Sequence, residues 1–226
     1  MITRFLKIAG LVLTVACWLW ARDAERSPMW NLALIWCSPL LQYPITLLGR
    51  RMLNIDAGKQ RVGLVSIFTH YAMMISLGVG IFPAIRSVQQ QSGALPIPQQ
   101  LGQALVWLTG VATALTVLNL AIRGLGTPFA AKLSSRLATD WMYAWTRNPM
   151  LLCTLALLLS VGFRYRSLWF VLWVMVIVSP GWIFFVKVYE ERELESRFGD
   201  SYLEYKARTP FLLPRRPRHI THAARA

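Results

Sequence analysis

The chain has 226 residues, 55% of them hydrophobic and only 15% charged, with a formal net charge of +14. A charged fraction so far below the roughly 25% of soluble domains excludes an ordinary soluble fold and points to a lipid environment. The basic residues are spread between apolar runs rather than gathered in one patch, so no nucleic-acid partner is expected.

The first apolar run, Ile8 to Trp20, follows Arg4 and Lys7. Its bulky CWLW end offers no small-x-small cleavage site, so it reads as a first transmembrane helix with Lys7 snorkelling, not as a signal peptide. Trp30 to Leu48, Val62 to Ile85, Leu101 to Ile122 and Leu168 to Val186 contain no Asp, Glu, Lys or Arg. Each approaches or exceeds the ~20 residues that cross a hydrocarbon core. Met150 to Phe163 is also free of charge but shorter; as a helix it rises only about 21 Å.

Arg50, Arg51, Lys59 and Arg61 follow the second run, Lys132, Arg136 and Arg147 follow the fourth, and the chain from Lys187 onward is basic again. The connector Arg86 to Gln100 carries one positive charge. By the positive-inside rule this alternation predicts an all-α, polytopic protein of about six spans with both termini cytoplasmic. A bacterial-type inner membrane is its simplest placement. Trp18, Trp20, Trp30, Trp141, Trp145 and Trp169 fall near run ends, as interfacial anchors do. Cys17, Cys37 and Cys153 form neither a zinc spacing nor a disulfide framework, and no metal site is expected. His70 lies inside the third span, where an ionisable residue is either functional or a neutral imidazole bonded to a neighbouring helix.

Residues 1–122 therefore read as four N-terminal transmembrane helices, 123–214 as the informative C-terminal region, and 215–226 as a basic tail able to lie on anionic phospholipid. Six of the ten acidic residues fall in one short window: Glu190, Glu191, Glu193, Glu195, Asp200 and Glu204. The spacing predicts a cytoplasmic amphipathic helix, with Glu193 and Arg197 paired at i,i+4 and Gly199 stopping it. Glu190 and Glu191 begin where the membrane ends and need partners.

Asn148 and Pro149 form a cap and first-turn pair that starts the fifth helix. Such a short helix has its start recessed from the surface, with unpaired N–H groups and a positive dipole end beside Arg147, a place to hold a carboxylate or phosphate. The tight RYRS turn makes helices five and six an antiparallel hairpin, which returns Glu190 and Glu191 to the end that carries Arg147. Pro180 and Gly181 kink the last span, either opening a gap or improving packing.

These residues, Arg147-Asn148-Pro149 followed by Glu190, Glu191, Leu194, Phe198, Gly199, Tyr202, Tyr205, Pro210 and Pro214, resemble the isoprenylcysteine carboxyl methyltransferase and phospholipid methyltransferase superfamily of integral membrane enzymes. GLGTPF, Gly124 to Phe129, is similar to the Gly-Thr-Pro element of bacterial members. The resemblance implies S-adenosylmethionine as methyl donor and a lipid or prenyl-type acceptor, carboxylate or amine, entering from the bilayer. Arg147, Asn148 and Pro149 would hold the donor carboxylate and Glu190 or Glu191 its ammonium and ribose. Tyr143, Tyr202 and Tyr205 would pack on the adenine or serve only helix packing. Arg147, Glu190 and Glu191 are the catalytic candidates, the two acids as bases if the acceptor is an amine.

The chain departs from the family pattern around the motif. Members commonly approach it through Gly-Pro-Tyr-Arg-Tyr and carry a Tyr and a Gly just beyond; here Trp141, Met142 and Ala144 surround a retained Tyr143, and Leu151 and Cys153 follow. Two further readings stand beside the methyltransferase. One is a non-catalytic membrane relative that binds a lipid or protein partner through the same pocket. The other is a nicotinamide-dependent reductase, because membrane sterol reductases resemble this C-terminal region.

Overall fold

A computed structural model describes residues 2–53, 59–90, 93–123 and 137–216. The GLGTPF element and most of the basic tail lie outside the described residues. Among the described residues the chain is helical and has no strand. The helices are α1 (Ile2–Asp23), α2 (Pro28–Leu40), α3 (Gln42–Leu53), α4 (Lys59–Gln89), α5 (Gln99–Arg123), α6 (Met142–Trp145), α7 (Pro149–Arg164), α8 (Leu168–Phe198) and α9 (Asp200–Arg208). Among the described residues five helical segments are long and apolar enough to cross a membrane, with α2 and α3 counting as one, and α7 is a shorter apolar helix.

The second apolar run is broken in two. Pro39 and Pro44 bracket a turn at Leu41, and the proline at 44 has no N–H for the preceding turn's carbonyl. Gln42, fully buried, donates its Nε2 to Pro39 O at 2.8 Å and so satisfies a carbonyl at the break. Elsewhere in the bundle Thr14, Thr46 and Thr69 donate to the carbonyl one turn back, the internal satisfaction that a lipid surround demands.

Helix α4 packs against α1, α2 and α3, while α8 lies between the α2–α3 pair and α7, and α5 covers the far side of α7. The core joins Ile35, Met73 and Leu77 of the N-terminal half to Leu151, Leu155 and Leu158 of α7 and to Phe170, Trp173, Val174, Val178, Phe185 and Tyr189 of α8. Trp173 closes the packing by donating its indole N–H to Ile35 O at 3.2 Å. Leu101, Leu108, Val111, Leu115, Leu118 and Ile122 form an exposed stripe on α5, a face suited to lipid tails.

Helix α8 runs through Pro180 instead of ending there. Two π-helical turns, Val174–Val178 and Val186–Glu190, interrupt its α-helical course. The first immediately precedes Pro180, whose missing N–H and ring are incompatible with a regular ladder, and Ser179 donates its hydroxyl to Val174 O at 2.7 Å. Gly181 faces the Gln42 amide, which a Cβ there would meet at 3.0 Å. Of the two roles open to Pro180 and Gly181, the geometry therefore favours close packing at this level of the bundle. The hairpin of α7 and α8 forms as the RYRS turn predicts, and α8, 31 residues long, outruns the 16 residues of α7.

Candidate functional site

The site is built from the α6–α7 junction, the second π turn of α8, and the segment that follows α9. Asn148 precedes Pro149 at the first position of α7 but does not cap the helix with its side chain. Its Nδ2 instead donates to Phe211 O at 2.8 Å, and the Thr146 hydroxyl donates to the same carbonyl at 3.2 Å. The C-terminal segment is stitched on further by Arg147 N to Pro210 O at 2.9 Å and Arg215 N to Trp145 O at 3.0 Å.

Arg147 and Glu191 meet as the hairpin predicts. The Arg147 Nη2 lies 2.6 Å from Glu191 Oε1, with both side chains largely buried. Nη1 donates to Lys206 O at 2.7 Å and to Thr209 O at 2.9 Å. Only Nε is buried with no hydrogen-bond partner. Glu191 Oε2 receives Lys206 Nζ at 2.9 Å, and the same ammonium reaches Glu195 Oε1 at 2.8 Å. One carboxylate thus answers two cations.

Glu190, one residue earlier, is different. It is half-buried and, among the described residues, takes no hydrogen bond or ion pair. The π turn separates the roles of these neighbours by changing the angular offset along the helix at this point. The carbonyl of Val188, inside that turn, accepts from Arg50 Nη1 of α3 at 2.8 Å. His70 is held by Ser66 O at 2.8 Å from Nδ1 and by edge contacts to Phe185 and Tyr189.

Tyr143, Tyr202 and Tyr205 are all buried. Tyr205 donates its hydroxyl to Tyr143 O at 2.7 Å, with the Tyr202 and Tyr205 rings 6.2 Å apart. Burial is the main cause that raises all three phenol pKa values, helped by Glu190 at Tyr143, by Glu191 at Tyr202 and by Tyr143 at Tyr205. All three stay neutral through the physiological range. At Lys206, burial works against the ammonium, but Glu195 and Glu191 prevail and raise its pKa.

The structure thus brings together every nominated residue on one end of the bundle, with Arg147 and Glu191 tied to each other and the tyrosines packed beneath. Sequence reasoning missed Lys206, Thr209, Phe211 and Arg50. Lys206 and Thr209 lie beyond Gly199, so no helical spacing relates them to Glu191. Phe211 lies 5.9 Å below the Arg147 guanidinium and 5.1 Å from Lys187 Nζ; an aromatic just after a Thr-Pro pair was the available signal. Glu193, buried and paired with Arg197 at 3.1 Å, forms the i,i+4 bridge that the sequence predicts. Among the described residues no cluster of His, Cys, Asp and Glu suits a metal ion.

The site's donor set suits a zwitterionic amino-acid group. Arg147 Nε can donate to a carboxylate, and Glu190 can accept from an ammonium. Residues 98–201 match the phospholipid methyltransferase family, within the same superfamily that the motifs resemble. That stretch takes in α5 as well as the helical hairpin. No curated protein and no solved structure matches the chain.

Proposed function

From the match of residues 98–201 to the phospholipid methyltransferase family and from five helical segments long and apolar enough to cross a membrane, we propose an S-adenosylmethionine-dependent methyltransferase. Its acceptor is a lipid or prenyl-type molecule, carboxylate or amine, that approaches from the bilayer. The observation that carries this reading is that two groups at this end of the bundle are left unused by the protein: Arg147 Nε, beside the start of α7, is buried without a hydrogen-bond partner, and Glu190, in the second π turn of α8, takes no hydrogen bond or ion pair among the described residues. When bound, S-adenosylmethionine supplies an electrophilic methyl group on a sulfonium. Arg147 and the α7 start would hold its carboxylate, and Glu190 would hold its ammonium. Tyr143, Tyr202 and Tyr205 back the pocket and help exclude water, which lets alignment rather than a covalent intermediate supply the rate.

If the acceptor is an amine, a proton must leave it. Glu191 is a poor receiver because Arg147 and Lys206 stabilise its charge, so Glu190 is the better placed of the two acids wherever the donor's ammonium leaves one of its oxygens free. The family supports a lipid substrate in general terms. A bacterial inner membrane, cytoplasmic termini and a basic tail resting on anionic phospholipid belong to the same proposal, and the charge alternation supports them.

The non-catalytic reading keeps one observation of its own: Arg147 already spends both terminal nitrogens on internal bonds. Calorimetry with detergent-purified protein separates the two. Saturable S-adenosylmethionine binding that Glu190→Gln weakens about tenfold or more, with methyl transfer to a lipid extract, supports the enzyme. Donor binding without turnover on any lipid extract favours the binding protein. No binding by folded wild-type protein overturns the donor assignment.

A further inference from the structure

A second polar site lies at the opposite end of the bundle from Arg147. Arg164 closes α7, about 24 Å from its start at 1.5 Å per residue. Its Nε donates to Gln103 Oε1 on α5, and its guanidinium carbon lies 5.4 Å from the Tyr165 ring centroid. Its Nη1 is buried and has no hydrogen-bond partner. The same side chain lines an open groove of about 480 Å³ together with Gln99, Gln100, Gln103, Ala104 and Trp107. That volume falls in the roughly 300–1,000 Å³ range of small-molecule sites.

The lining has a direction. Three carboxamides and a guanidinium stand at one end with no carboxylate among them, a donor-rich set for an anion. Trp107, two turns further along α5 and 70% exposed, ends the groove in an apolar plane. From Gln99 to Trp107 the helix rises about 12 Å. An anionic head with an apolar continuation matches that profile, and Trp at the margin suits the headgroup level of a bilayer.

The groove is also preformed. A Cβ on Gly102 would come within 2.6 Å of Arg164 Cα and N, so only glycine lets the α5 backbone sit against the end of α7. Leu95 N donates to Arg166 O at 3.1 Å and Arg166 Nε donates to Leu95 O at 2.7 Å, which pins the α4–α5 connector to the α7–α8 turn. Arg164 is therefore held by fixed backbone on both sides.

We propose that this groove binds the phosphodiester headgroup of a phospholipid in the leaflet opposite the one that Arg147 faces, with the Arg164 guanidinium donating to a phosphate oxygen. The site lies outside the methyl-transfer chemistry and does not depend on it. Native mass spectrometry of delipidated full-length protein titrated with dioleoylphosphatidylglycerol, dioleoylglycerol or inorganic phosphate tests it. A saturable phosphatidylglycerol site is expected that is weakened about tenfold or more in Arg164→Gln. Dioleoylglycerol, which lacks the phosphate, should not occupy it. Equal phosphatidylglycerol affinity in wild type and folded Arg164→Gln overturns the proposal, and so does inorganic phosphate binding as tightly as the lipid. If Arg164→Gln fails to fold, Gln100→Glu carries the test, because Gln100 is exposed. A new negative charge at the mouth should weaken the lipid several-fold, and unchanged affinity again overturns the site.

Discussion

Trp141 adopts φ 53° and ψ −123°, a backbone conformation that only glycine reaches without strain. It stands where members of the superfamily commonly carry the glycine of a Gly-Pro-Tyr approach, and the strain enters directly beside Tyr143 and Arg147. Trp141→Gly is expected to stabilise the protein by about 1 kcal/mol, the relief of strain exceeding the added freedom of the unfolded chain; thermal unfolding in detergent measures it. Glu190 and Glu191 should part company in the same assay. Glu191→Ala strands the buried Arg147 guanidinium, leaves Lys206 with Glu195 alone and is expected to cost about 3–5 kcal/mol, whereas Glu190→Gln removes no internal bond and should leave the midpoint nearly unchanged. An unshifted midpoint in Glu191→Ala would mean that the buried pair does not hold the C-terminal segment in place. The adjacency of these acids to a membrane end was legible in the sequence. Which of them is consumed by the protein was not, because a π turn and a lysine beyond Gly199 decide it.

At the scale of elements, α5 and α7 illustrate how a glycine sets an interface. A Cβ added at Gly102 would meet Arg164 backbone at 2.6 Å, while one added at Gly110, two turns on, would meet nothing nearer than Leu157 Cδ1 at 4.0 Å. Gly102→Ala must push the helices apart and is expected to cost about 1–3 kcal/mol. Gly110→Ala, with room for its methyl group and a better helix propensity, should be neutral or slightly stabilising. Equal effects of the two would contradict the close approach at Gly102. The apolar runs announced α4, α5 and α8, and the asparagine-proline pair announced the start of α7. The break between α2 and α3 was not foreseen, since Leu41 to Gln42 lies within an unbroken apolar run, and it is stable only because Gln42 satisfies Pro39 and packs on Gly181.

The whole molecule carries a signature in pH. Tyr143, Tyr202 and Tyr205 have folded-state pKa values raised above the ordinary ~10 of a tyrosine, and Lys206 is raised as well. Each therefore holds its proton in the folded state when the unfolded chain would release it. The associated stability is fully present below about pH 10 and is lost as pH rises through the folded values. Unfolding midpoints should not fall through these groups between about pH 7 and 9 and should drop beyond 10. Tyr205→Phe should lower the neutral midpoint by the loss of its bond to Tyr143 O and flatten the alkaline decline; a decline as steep as in the wild type would assign it to other groups.

By itself the sequence determined the membrane class, the positions of the apolar spans, the α7–α8 hairpin and the family signature. These follow from local quantities, namely run length, charge alternation and cap residues, which act before any two helices touch. The tertiary structure decided what each charged side chain does. Arg147 finds Glu191, Lys206 O and Thr209 O, and Arg164 lines a groove with one nitrogen left unpartnered, because the turns at Gly199 and at Arg164–Ser167 return distant segments to the same end of the bundle. In a low-dielectric surround a charge is worth what its partners make it, and partners separated by tens of residues are chosen by packing.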